Sequence, residues 1–107
     1  MSRILFDQGT PVPLRAELDG HDIETAYERG WSELENGDLL SAAESEGFEI
    51  LITTDRNLRY QQNPSSRRIA IVVLTSPSWP RIRKVAGDIR IQLVEVHTGS
   101  YVEIEIP

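Results

Sequence analysis

Two apolar runs in this 107-residue chain end on an aspartate: Ile4-Leu5-Phe6-Asp7 and Ile50-Leu51-Ile52-Thr53-Thr54-Asp55. A strand that gives way to a carboxylate carries it to the carboxyl edge of a sheet, where open α/β sheets bind ligands in the crevice beyond the strand ends. If the two strands are neighbours, Asp7 and Asp55 share that crevice and repel each other unless a cation lies between them. Mg²⁺ and Mn²⁺ suit such a site, being hard ions that take oxygen ligands. Each aspartate could instead cap the helix that follows its strand, a role compatible with metal binding.

Further acids lie on the helix expected between these strands. Asp38 stands in its first turn, where the helix dipole alone favours an acid. Glu44 and Glu46 stand near its end, two residues apart, so at most one of them faces the crevice. The run Asn57-Leu58-Arg59-Tyr60-Gln61-Gln62-Asn63 is rich in amides and carries a single charge. Such a run can hydrogen-bond phosphates and base edges, with Tyr60 stacking on a base, or can tie down a helix end. His21 and His97 have no ligand spacing around them and read as structural, and Trp31 and Trp79 read as core or rim aromatics. With no cysteine, disulfides, thiolate zinc sites and a cysteine nucleophile are excluded. A Gly-rich phosphate loop and a serine elbow are also missing from the sequence.

The net charge of −6 hides a split. Residues 1–55 carry 13 acids against three arginines, a balance of −10, and residues 56–107 carry eight basic side chains against four acids, a balance of +4. Arg56, Arg59, Arg67 and Arg68 open that basic half. They would serve a phosphate backbone if they shared one face, and are otherwise an ordinary solvated surface. The longest apolar run, Ile69 to Leu74, is far short of the roughly 20 residues a membrane-spanning helix needs. The expectation is a soluble, cytoplasmic protein with no membrane partner, folded as one domain over residues 1–107.

The elements that must position these residues follow from patterning. Strands are expected at Arg3 to Phe6, His21 to Ala26, Glu49 to Thr53, Ile69 to Leu74 and Tyr101 to Ile106, the fourth apolar on both faces and so central. Helices are expected from Pro11 to Leu18 with Thr10 as N-cap, from Gly37 to about Glu46 with Asn36 as N-cap, and from Asp55 to about Tyr60. Another should start at Ser78-Trp79-Pro80 and break at Gly87. A loop with a turn of helix around Trp31 fills the stretch 27–35, and Asn63 to Ser66 form a turn. Alternating strands and helices imply a mostly parallel sheet.

Three segments carry a resemblance to a known family: Ile4-Leu5-Phe6-Asp7 followed by Gln-Gly-Thr-Pro, Asn36-Gly37-Asp38-Leu39-Leu40, and Thr53-Thr54-Asp55-Arg56-Asn57-Leu58. Together they resemble the short PIN-like branch of the PIN domain superfamily, metal-dependent ribonucleases often found as toxins of bacterial toxin–antitoxin pairs. The resemblance covers most of residues 1–75. It implies a three-layer α/β/α sandwich around a mostly parallel sheet, with acids gathered at the carboxyl edge. It implies Asp7 and Asp55 as metal ligands and catalytic acids, joined by Asp38 or Glu44. The same resemblance implies Mg²⁺ or Mn²⁺ as cofactor and an RNA substrate steered by Arg56, Asn57, Arg59, Arg67 and Arg68. A small antitoxin protein as partner and a homodimer would accompany a toxin of this type. This chain departs from the family pattern at Gln8, Asn36 and Asn57, where relatives tend to carry acids. An amide oxygen ligates a hard cation without adding charge attraction, so ion affinity should fall. A non-catalytic protein that keeps the fold to bind a partner is the alternative these amides suggest. A receiver-like phosphoacceptor, using Asp55 with Thr75 after the fourth strand, is a weaker one.

Overall fold

The computed structural model describes residues 2–18, 20–56 and 68–107, Asn36 by its backbone alone. Five strands form one sheet: β1 (Arg3–Phe6), β2 (Asp22–Thr25), β3 (Ile50–Thr53), β4 (Ala70–Leu74) and β5 (Tyr101–Ile104). Every pairing is parallel and the spatial order is β2-β1-β3-β4-β5. β3 and β4 are buried at every position, as strands covered on both faces must be.

Alternate residues feed two cores. Ile4, Phe6, Ile50, Ile52, Val72 and Leu74 face one side, where they meet Leu14, Leu18 and the helical residues Ile82, Ile89 and Leu93. Leu5, Leu51, Ile71 and Val73 face the other, against Leu39, Leu40 and Ala43. Helices therefore cover both faces of the sheet, giving an α/β sandwich. The covering elements are a 3-10 helix (Val12–Glu17), α1 (Asn36–Ser45), α2 (Trp79–Lys84) and α3 (Ala86–Val94).

Three local expectations need correction. The short helix expected after β1 is a 3-10 helix over Val12–Glu17, with Pro11 as its N-cap residue. Thr10 does not cap it, because its hydroxyl is engaged elsewhere, as described below. The stretch 27–35 turns without a helical segment. The last helix breaks at Val85, which lies outside helical geometry at φ −118°, and Gly87 sits within α3. The helix expected from Asp55 to Tyr60 and the turn at Asn63 to Ser66 lie outside the described residues.

The end of α1 is locked to the amino ends of the strands. Gly47 turns the chain at φ +81°, where a Cβ would be strained and would stand 3.2 Å from the Arg3 guanidinium. Arg3 donates to the Glu46 carbonyl and stacks 4.4 Å from the Phe48 ring centroid. Arg29 lies over Trp31 at 4.8 Å and pairs with Glu24 and Glu46. Trp31 meets Phe48 edge-on with ring centroids 6.1 Å apart. Stacked guanidinium groups with carboxylate partners hold this end closed.

Candidate acidic site at the carboxyl edge

Strand register sets the site. β1 and β3 are direct neighbours, with Phe6 opposite Ile52, and the Asp7 N–H continues the ladder to the Ile52 carbonyl. Asp7 therefore leaves the sheet beside Thr53, and Asp55 follows two residues later on the same rim. The β1-to-β2 connection packs on one face and the β2-to-β3 connection on the other, so the strand order reverses between β1 and β3. The crevice at such a switch point is the usual ligand position in doubly wound sheets.

Neutral donors surround the Asp7 carboxylate. Its Oδ1 accepts from the Gly9 N–H at 3.1 Å and from the Thr10 hydroxyl at 2.8 Å. Its Oδ2 accepts from the buried Thr53 hydroxyl. Thr53 in turn accepts the Asp55 N–H at 3.0 Å, so one hydroxyl links the two aspartate positions. Thr10 Oγ1 also lies 2.8 Å from the Ile52 carbonyl, so its single proton is shared between that oxygen and the Asp7 carboxylate. Burial pushes the Asp7 carboxyl above its ordinary value, and the hydrogen bonds from Thr53, Thr10 and Gly9 oppose that rise without cancelling it. Among the described residues no cationic side chain pairs with Asp7. A half-buried carboxylate with only neutral partners is costly, and a bound cation would relieve the cost.

Gly9 lets the two loops close on each other. A Cβ there would stand 2.6 Å from Thr54 Oγ1, too close for any side chain unless the threonine moves.

The other predicted residues are spread more widely. Asp38 is exposed in the first turn of α1, and among the described residues no three histidine, cysteine or acidic side chains come together to hold an ion. Glu44 lies at the opposite rim, where its carboxylate accepts the backbone N–H groups of Arg68 at 2.7 Å and Ile69 at 3.2 Å. It fixes the entry to β4, which takes it away from Asp7 and Asp55. Arg56 is on the carboxyl rim, exposed and 3.8 Å from Glu103. Arg68 precedes β4 and so lies at the amino rim, away from Arg56. Asn57, Arg59 and Arg67 lie outside the described residues. Thr75 accepts the Ile106 N–H at 2.8 Å and lines a cleft with the acids Glu103 and Glu105.

Thr10 and Thr53 both donate to Asp7, a contact that residue types alone did not single out. The available signal was a threonine at the end of an otherwise apolar strand, one residue short of the Thr-Asp pair.

Beside Asp7 a cleft of about 620 Å³ opens between the 3-10 helix and the loop after β2. Asp7, Gln8, Val12, Arg15 and Tyr27 are among its lining residues. Arg15 pairs with Glu28, which also accepts the Thr25 N–H at 3.0 Å. These partners, the Arg15 hydrogen bond first, hold the Glu28 carboxyl below its usual value. Comparison with family models, curated proteins and solved structures finds no match to this chain. Among the described residues no helix is long and apolar enough to cross a membrane.

Proposed function

We propose that this protein is a divalent-metal-dependent ribonuclease of PIN-like type, with Asp7 and Asp55 as the acidic pair. One observation carries the reading: Asp7 is held at the switch-point crevice by neutral donors alone, and Thr53 joins it to the Asp55 backbone. The donor set suits a hard ion. Three of the roughly four lone-pair positions on the Asp7 carboxylate are occupied, leaving Oδ2 one for a ligand bond. Mg²⁺ is commonly held by one or two carboxylates together with substrate phosphates, so a third protein acid is not required.

In this mechanism Thr10, Thr53 and the Gly9 N–H fix the orientation of Asp7 and keep it ionised against burial. Asp55 adds a second carboxylate on the same rim. Arg56, with Arg59 beyond it, supplies positive charge to the RNA backbone. When bound, the ion would neutralise the scissile phosphate and lower the pKa of an attacking water. A role as the toxin of a toxin–antitoxin pair, with a small antitoxin partner and a homodimeric state, belongs to the same proposal through the family resemblance.

The test is cleavage of single-stranded RNA with Mn²⁺ by the native protein and by Asp7→Asn. Metal-dependent cleavage that the variant loses while keeping native circular dichroism supports the proposal. No cleavage by the native protein, with no Mn²⁺ binding in calorimetry at millimolar concentration, overturns it. That result would favour a non-catalytic partner-binding protein, the reading suggested by Gln8 and by the lack of a three-acid cluster among the described residues.

A further inference from the structure

We propose that the cleft beside Asp7 is a nucleobase subsite for single-stranded RNA, with Tyr27 as its stacking platform. The inference rests on the ribonuclease reading and names how that site would grip its substrate. Tyr27 follows β2 at the carboxyl rim and is 79% exposed, while Val12, 55% exposed, lines the same cleft. Neither side chain is needed by the two cores, and each leaves apolar surface in water where it borders the candidate site. The cleft volume falls within the range of roughly 300–1,000 Å³ typical of small-ligand sites.

The polar groups suit a base. The Gln8 amide offers both a donor and an acceptor to a base edge. The terminal nitrogens of Arg15 are held by Glu28, and Glu28 by the Thr25 N–H, so the wall is braced before any ligand arrives.

Position favours a nucleotide over other small ligands. Asp7 lines this cleft and also forms the proposed metal site, so a base held against Tyr27 leaves its sugar–phosphate chain at the carboxylate. The rim beyond β4 and β5 differs. The described residues lining the cleft there are Arg56, Thr75, Glu103, Glu105 and Ile106, two acids and no aromatic ring among them. Bases must be unstacked to lie on a side chain, which makes single-stranded RNA the fitting substrate and a duplex a poor one.

The experiment is fluorescence anisotropy with a labelled single-stranded RNA oligonucleotide in Ca²⁺ in place of Mn²⁺, so that binding is read without turnover and with a cation between phosphate and carboxylate. Native protein, Tyr27→Phe and Tyr27→Ala are compared, with a duplex of the same sequence as control. Because Tyr27 is mostly exposed, its removal leaves the cores intact. The alanine variant should bind about tenfold more weakly, the phenylalanine variant within about twofold of native, and the duplex should be insensitive to both changes. Native affinity in Tyr27→Ala, equal losses in both variants, or no measurable RNA binding would overturn the proposal. Tyr27-dependent binding without Mn²⁺-dependent cleavage would retain the subsite and remove the nuclease. Cleavage with Kd and KM unchanged in Tyr27→Ala would do the reverse.

Discussion

Replacing Thr53 by valine keeps the shape of a buried side chain and deletes the hydroxyl that joins Asp7 to Asp55. The loss has two parts. The hydrogen bond to the Asp7 carboxylate is of the charge-assisted kind, worth about 1.5–3 kcal/mol. The Asp55 N–H loses its acceptor as well, though Asp55 is only half-buried and water can replace that contact in part. A net cost of about 2 kcal/mol at neutral pH follows. With an unfolding entropy of about 2.1 cal/mol/K per residue over 107 residues, Tm should fall by about 9 °C.

The cost should depend on pH in a defined direction. Thr53 donates to the ionised carboxylate and so lowers the Asp7 pKa against the effect of burial. Without it the folded-state pKa rises further, so the deficit is full once Asp7 is ionised and shrinks as acid protonates it. Thermal melts in EDTA across pH 3–8, with the Asp7 carboxyl followed by ¹³C NMR, read both quantities. Thr53→Ser is the control, since it keeps the hydroxyl and gives up one methyl group, and should restore the titration. A Tm within 2 °C of native at pH 7, or an Asp7 titration unmoved in Thr53→Val, would refute the linkage.

Other consequences are open to measurement. Gly9→Ala forces a Cβ toward Thr54 Oγ1 and should cost about 1–3 kcal/mol, while adding Thr54→Ala should recover most of that in a double-mutant cycle by chemical denaturation. Glu44→Ala should destabilise the fold by about 1–2 kcal/mol through the freed Arg68 and Ile69 N–H groups, yet leave Mn²⁺ affinity in calorimetry unchanged. The folded-state pKa of Glu28 lies below its unfolded value, so its pairing with Arg15 contributes in full above about pH 4.5 and is lost as pH falls through the lower folded value. In Glu28→Gln the melting temperature should therefore fall most near pH 7, where the pairing is complete, and converge on the native value as pH drops through that acid window.

The strands were legible because their chemistry is local. The run Ile69 to Leu74 is apolar on both faces, and β4 is buried at every position. The helix break was not legible. Ile82, Ala86, Ile89 and Leu93 keep helical spacing straight through Val85, and a Cβ at Gly87 would meet nothing within 4 Å, so neither periodicity nor glycine marks the true interruption. Asp7 and Asp55 could be placed on one rim because each ends its own strand, but the role of Thr53 depends on β1 lying against β3, 46 residues away in sequence. The stacking of Arg3 on Phe48 is equally non-local. Glu44 misled because helical position gives the side of an element and not its end: α1 runs from the carboxyl rim back to the amino rim, and its last acids travel with it.

That layout keeps the clamp of aromatic rings and guanidinium groups at the start of the strands, while the acids occupy their finish. Substitutions among the acids can therefore accumulate without loosening the clamp. A descendant of such a chain could lose the proposed ion site, and whatever reaction an ion there would support, yet keep its fold. An intact fold would give no warning of the change, so in proteins of this build inactivity has to be sought by assay.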